Sequence, residues 1–171
     1  MSRKLSQGYI ERAAFHYLGR YSSSVKNLRR ILERKAMRRL EDDEKLGAEH
    51  HSWIDAVIVK CRNYGYVNDS VYAKGKVKAM HSSGKSKRGI IAALMAKGVG
   101  SDDIAAAFEG LDVEDGGDPD RMAAEKYARK RRFGPYRQKE ADADKVRKEA
   151  ASMARAGFSY DIIKHILKEN I

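Results

Sequence analysis

Among 171 residues there is one cysteine, Cys61, which excludes an internal disulfide. A lone thiol suits a reducing compartment, so the expected location is cytoplasmic. There are only two prolines and one tryptophan, and aromatic residues make up 8% of the chain. Clusters of β-branched residues are scarce, so no sheet is expected. No apolar run approaches the ~18 residues of a membrane span, and no membrane partner is expected. No hydrophobic region follows the basic N-terminal residues, so a secretory signal is not expected either. Negative charge is the last shortage. Twenty-four carboxylates face 35 lysines and arginines, for a net charge of +11 and a pI near 9.7. That excess implies an anionic partner, either nucleic acid or an acidic protein surface.

What is abundant is Ala, Lys, Arg and Glu, a helical composition. Charged residues make up 35% and mean hydropathy is −0.66, yet 42% hydrophobic content is enough for a core. An elongated array meets that balance better than a sphere.

The stretch from Lys87 to Phe108 organises the chain. Ile90, Ile91, Leu94 and Met95 form an apolar helical stripe, and Gly98 is a stop that can turn left-handed. Ser101 is expected to cap the next helix, with Asp102 and Asp103 in its first turn and Ile104, Ala107, Phe108 and Leu111 as its stripe. Two such helices cannot bury their faces alone. A shift of 59 sets Ala150, Met153, Ala154, Gly157, Ile163 and Leu167 against Ile91, Leu94, Met95, Gly98, Ile104 and Phe108. A shift of 62 sets Lys26, Leu28, Leu32 and Lys35 against Arg88, Ile90, Leu94 and Lys97, with Ala36 in place of the glycine. Each copy follows a helix bearing a tyrosine: Tyr17, Tyr72 and Tyr127. The expected fold is therefore all-α: an elongated, curved array of three tandem three-helix repeats, about nine helices in all. The repeats are placed at residues 1–66, 67–116 and 117–171, with a charged insert near 40–52.

Residues 1–7 read as polar and frayed. Trp53, Ile54, Val57, Ile58, Cys61 and Tyr64 make the stripe of a third helix, and Val71, Ala73, Val77 and Met80 face inward on a fourth. His81 to Ser86 reads as a flexible polar link. Glu114 to Asp118 is the best break, with Asp118 capping a helix that has Pro119 in its first turn. Phe133 to Tyr136 interrupts the chain before the last helix pair.

Chemistry-bearing patterns are few. Gly84-Lys85-Ser86 resembles the end of a phosphate loop, but the first glycine would fall at Ala79 and no strand precedes it. His50, His51 and Cys61 do not make a structural zinc set, and no metal or cofactor is expected. No nucleophile, base and orienter can be assembled from spacing, so no enzyme is expected. The strongest functional signal is basic. Arg29, Arg30, Arg34 and Lys35 form one cluster, and Lys85, Lys87 and Arg88 a second. Lys126, Arg129, Lys130, Arg131, Arg132 and Arg137 form a third, beside Tyr127, Phe133 and Tyr136, which could stack on bases. Such runs usually make a solvated face. Their recurrence in each repeat favours a binding face instead.

The order and spacing of these landmarks resemble the RecX family of regulatory proteins. The matching residues are Ala13 and Tyr17-Leu18, then Leu28, Leu32 and Lys35, then the junction from Gly65 to Ala73. They continue with Ile90, Leu94, Lys97-Gly98-Val99 and Ile104, and end with Arg155-Ala156-Gly157-Phe158-Ser159 and Ile163. The resemblance covers residues 10 to 168. The junction commonly has two aspartates where this chain has Asn68-Asp69, and the insert is longer than usual. The resemblance implies a non-enzymatic modulator that lies on a RecA recombinase filament on single-stranded DNA. It would suppress the filament's ATPase, extension and strand exchange, and bind DNA weakly itself. A repeat array with polar ends need not dimerise, so a monomer is expected. The same helix pairs leave a second reading open: a free-standing DNA-binding module with helix-turn-helix-like pairs that read duplex.

Overall fold

Serine and aspartate side chains begin most of the helices. The computed structural model describes residues 5–40, 44–115 and 118–168. Ser6 accepts a backbone N–H to start α1 (Gln7–Leu18), and Ser24 does so for α2 (Val25–Met37). Helix α3 (Ala48–Asn63) starts where the Gly47 N–H donates to His50 Nδ1 at 3.1 Å. Asn68 accepts from Val71 N at the start of α4 (Asp69–Ser82), and Ser86 from Gly89 N at the start of α5 (Lys87–Ala96). Helix α6 is Ser101–Asp115, and α7 is Pro119–Arg131, capped by Asp118 as expected. Asp142 and Ser159 cap α8 (Ala143–Arg155) and α9 (Tyr160–Leu167). Each cap satisfies one of the amides that a helix start leaves without a partner. Among the described residues there are nine α-helices, one 3-10 turn at Gly134–Tyr136 and no strand.

Several local expectations change. Ser101 is already helical, and its hydroxyl donates to Asp102 Oδ1 at 3.2 Å rather than capping. Leu5 is buried in the core, so residues 5–7 are held; residues 1–4 lie outside the described set. Helix α3 begins at Ala48, within the insert placed near 40–52; 41–43 lie outside the described residues. The break at 114–118 is likewise partly helix, since α6 continues to Asp115, while 116 and 117 are not described. The supposed flexible link is a tight turn. His81 is buried with Nε2 donating to the Pro119 carbonyl at 2.6 Å, and the Gly84 and Lys85 amides bond back to His81 and Met80.

The chain forms two compact units, Met1–Tyr72 with Lys97–Gly100, and Ala73–Ala96 with Ser101–Ile171. In the first, α1, α2 and α3 pack around Ile10, Ala14, Leu28, Leu32, Ile54 and Cys61. Each fully buried leucine or isoleucine there contributes about 1.5–3 kcal/mol. Ala36 is among these buried residues, so α2 runs on to Met37 where the other copies stop at glycine. In the second unit, Ala123, Ala124 and Ala128 present a flat face of α7 to Met153, Phe158, Ile163 and Leu167 of α8 and α9. Glu149 sits buried beside them. It accepts from Gly134 N at 3.0 Å and pairs with the Arg137 guanidinium at 2.8–3.1 Å.

The internal repeat is written in bonds as well as in hydropathy. In the first unit the Ser24 hydroxyl donates to the Lys97 carbonyl, and Asp69 Oδ1 accepts from Val25 N at 2.8 Å. In the second the Ser86 hydroxyl donates to the Ala156 carbonyl, and Asp120 Oδ1 accepts from Lys87 N at 2.6 Å. Ser24 and Ser86 are related by the 62-residue shift, Lys97 and Ala156 by the 59-residue shift. The next residues, Gly98 and Gly157, are left-handed at φ +77° and +96°. A Cβ on either would fall 2.3 Å from the Lys26 side chain or 2.7 Å from Ser86 Oγ, so close approach demands glycine at both. The tyrosines repeat less well. Tyr17 and Tyr127 follow buried alanine pairs (Ala13-Ala14 and Ala123-Ala124) at the same spacing, but Tyr72 directly precedes buried Ala73.

Candidate nucleic-acid interface

Basic residues near a helix C-terminus complement its partial negative charge, and α7 ends in Arg129, Lys130 and Arg131. Their positions are set by Tyr127, whose hydroxyl lies 3.2 Å from Ser152 Oγ on α8. Its ring meets Phe158 edge-on at 5.4 Å, and the Arg131 guanidinium sits 4.9 Å from the ring centroid. Opposite stands the turn from Ser83 to Ser86, pinned by the Ser86 bond to Ala156. The last turn of α8 closes the site with Arg155.

Together these segments surround a cleft of about 850 Å³, within the size range of ligand sites. Four cations line it: Lys85, Lys130, Arg131 and Arg155. No carboxylate among the described residues pairs with any of the four. Ser83, Ser86 and Ser152 also line the cleft, with the Ser83 and Ser86 hydroxyls donating to the Met80 and Ala156 carbonyls. Unneutralised cations around a polar concavity attract phosphate, and arginine can grip it through two parallel bonds.

Three of the four were among the sequence candidates. Arg155 was not, because it stands alone between Ala154 and Ala156 and belongs to no basic run. Its only local signal was its place in a last helical turn before a glycine stop. Ser83, Ser86 and Ser152 were also missed as site residues.

The other candidates are distributed elsewhere. Arg29, Arg30, Arg34 and Lys35 lie on α2 in the first unit. Arg29 pairs there with Asp55 and Glu33, which partly neutralises the cluster. Lys87 points away from the cleft: its ammonium lies 5.2 Å from the Phe108 ring centroid, above an apolar groove lined by Ile91, Met95 and Ile104. Arg88, Lys126 and Arg132 are exposed outside the cleft lining, and Arg132 donates to Gln138 at 3.0 Å. Arg129 lies 5.2 Å from the Tyr136 ring centroid. Arg137 is a correction, since its bidentate contact with buried Glu149 makes it a structural cation. Tyr127, Phe133 and Tyr136 lie beside this cluster. They are half-buried and packed against the α7–α9 core, with Phe158, Arg131 and Arg129 against the two tyrosine rings.

Titration within the second unit is perturbed at Asp120, whose carboxyl is raised above its ordinary value by burial, against the opposing pull of the Lys87 amide. No helix among the described residues is long and apolar enough to cross a membrane.

The sequence aligns over 98% of its length with the regulatory protein RecX of Myxococcus xanthus (strain DK1622), at 35% identity over 89% of that protein. The chain belongs to the RecX family. The RecX protein of Agrobacterium fabrum (strain C58 / ATCC 33970) is 34% identical over 94% of the chain and 82% of its own length. The family model for the second three-helix domain of RecX matches residues 68–107, the segment from the cap of α4 into α6. Two RecX crystal structures share the fold. One, titled as regulatory protein RecX, matches with a TM-score of 0.67 at 21% identity, over 95% of this chain and 72% of that one. The other, from Lactobacillus salivarius, matches with a TM-score of 0.63 at 23% identity, over 95% and 94%. The all-α repeat fold and RecX membership expected from the residues are thus both found, and the chain is a regulatory protein of that family.

Proposed function

We propose that this RecX-family protein binds a RecA recombinase filament on single-stranded DNA and restrains its ATPase, its extension and strand exchange. In that role it modulates DNA repair, homologous recombination and the SOS response. The observation that supports this reading most is the cleft in the second unit lined by four cations that no carboxylate among the described residues pairs with, a place for a phosphate backbone on a protein of net charge +11. It acts without catalysis, as a monomer in the cytoplasm, with α1–α3, α4–α6 and α7–α9 as its three repeats. The DNA contact is weak and serves to position it on the filament.

The duplex-reading alternative draws less support. Helix α6, which such a module would lay in a groove, exposes Asp102, Ala105, Ala106 and Glu109, a face without the arginine, lysine or amide side chains that read bases.

The test is the ATPase rate of a RecA filament on single-stranded DNA, titrated with the protein. Inhibition well below one protein per RecA protomer supports filament modulation, and no effect at excess rejects it. Lys130→Gln/Arg131→Gln/Arg155→Gln in combination should weaken inhibition and flatten the salt dependence of single-strand binding. The slope should fall by about two, at roughly 0.7 per lost phosphate contact.

A further inference from the structure

Of the exposed tyrosines in the first unit, two flank a single turn. Tyr64 is 64% and Tyr66 57% exposed, although both follow the apolar stripe of α3. They flank Gly65 in the turn that ends the helix, where Gly65 N donates to Arg62 O and Tyr66 N to Cys61 O, both at 2.9 Å. The residues on either side, Cys61 and Val67, are buried, so the turn is anchored at both ends. The two rings lie 5.9 Å apart at 42°, and Tyr66 meets Phe15 edge-on at 5.8 Å and 77°. Neither contact is a face-to-face stack, and ring faces remain available to a flat partner. Exposed Arg62 and Asn63 stand beside them, and the last turn of α3 is basic.

In the chain this pair is flanked by Arg62, Asn63 and Asn68, all exposed. Aromatic faces beside an exposed guanidinium, on a protein of net charge +11, match unpaired nucleobases on a polyanionic strand. From this juxtaposition we infer that Tyr64 and Tyr66 form a stacking platform for the bases of single-stranded nucleic acid. The platform rests on the single-strand reading above and deepens it. The cleft cations hold phosphates, which supplies salt-dependent affinity, while the tyrosines hold bases, which does not depend on salt. Pre-anchoring by Cys61 and Val67 lowers the cost of ordering the rings on binding.

The test measures anisotropy of a labelled thymidine oligonucleotide of roughly 16 nucleotides, against a strand of the same length with abasic sites. The full chain should bind the thymidine strand about tenfold or more tightly than the abasic one. Tyr64→Ala/Tyr66→Ala should bind both strands alike, at the abasic level, with an unchanged salt slope. Tyr64→Phe/Tyr66→Phe should keep the preference, since the rings remain. Equal binding of both strands by the unaltered protein overturns the platform without any variant. A preference retained in the alanine variant overturns it as well. So does an alanine variant that binds DNA normally but no longer inhibits RecA, because the rings would then meet protein. If the cleft variants lose single-strand binding while the tyrosine variants keep it, the function reading stands and the platform falls. If the unaltered protein binds neither strand, both fall.

Discussion

Replacing Gly98 by alanine tests the bond that repeats through the fold. Gly98 sits at φ +77°, and a Cβ there would lie 2.3–2.7 Å from Lys26 Cδ, Cβ and Cγ. Carbon atoms prefer about 3.5–4.0 Å, so the start of α2 must withdraw by about 1 Å. Lys26 Cβ is fixed to the backbone and cannot simply swing aside. The withdrawal breaks the bond from the buried Ser24 hydroxyl to the Lys97 carbonyl. Left-handed strain on alanine costs about 1–2 kcal/mol, of which about 0.4–1 is recovered through the unfolded chain. An unsatisfied buried hydroxyl adds about 1–3 kcal/mol, for a total near 3 kcal/mol. Gly65 is the control within the same unit. It is also left-handed, at φ +71°, but a Cβ there meets nothing within 4 Å. Gly65→Ala should therefore cost only about 1 kcal/mol. Urea unfolding followed by Trp53, the single tryptophan and a residue packed on the first unit's core, reads both. With m near 1.5 kcal/mol/M, Gly98→Ala lowers the midpoint by about 2 M and Gly65→Ala by under about 1 M. Ser24→Ala combined with Gly98→Ala should cost less than the two separately, because both remove the same bond. Equal midpoints for the two glycine variants would refute the locking of α2 against the Gly98 turn.

Arg137→Met strands the buried Glu149 carboxylate and should cost about 3–5 kcal/mol in thermal or urea unfolding; a loss below about 1 kcal/mol would show the pair to be solvated. Asp120 binds its proton more tightly folded than unfolded, so its favourable contribution is full below the ordinary aspartate range and is lost as pH rises through the raised value. Asp120→Asn keeps an oxygen for the Lys87 amide and should remove that decline, and stability profiles from acid to neutral pH that run parallel for both proteins would contradict it. Cys61 is fully buried, and burial raises its thiol, so alkylation should be slow in the native protein and fast in urea. Rapid labelling under native conditions would mean that the core of α1–α3 opens readily.

The helices and most of their ends were legible because the forces that set them act over about four residues. Asp118 before Pro119, the hydroxyls around Ser24 and the left-handed Gly98 and Gly157 are local signals, and each does what its local chemistry suggests. Ser101 does not cap, because α6 already includes it as its first residue. Apolar residues were the least reliable guide to burial. Val71 and Met95 carry stripe positions yet are 67% and 60% exposed, because a stripe fixes a helix face but not whether another helix reaches it.

The binding chemistry divides the same way. Composition and repeat spacing determined an all-α repeat chain with a large excess of positive charge, since charge sums and periodicities survive without coordinates. Which cations act together was decided only by packing. The Ser86 hydroxyl on the Ala156 carbonyl brings Arg155 to Lys85, and the Tyr127 contact with Ser152 sets Lys130 and Arg131 beside them. The same packing withdrew Arg137 into an ion pair with Glu149. A cation's role depends on its distance to the nearest carboxylate, and residues far apart in the chain set that distance.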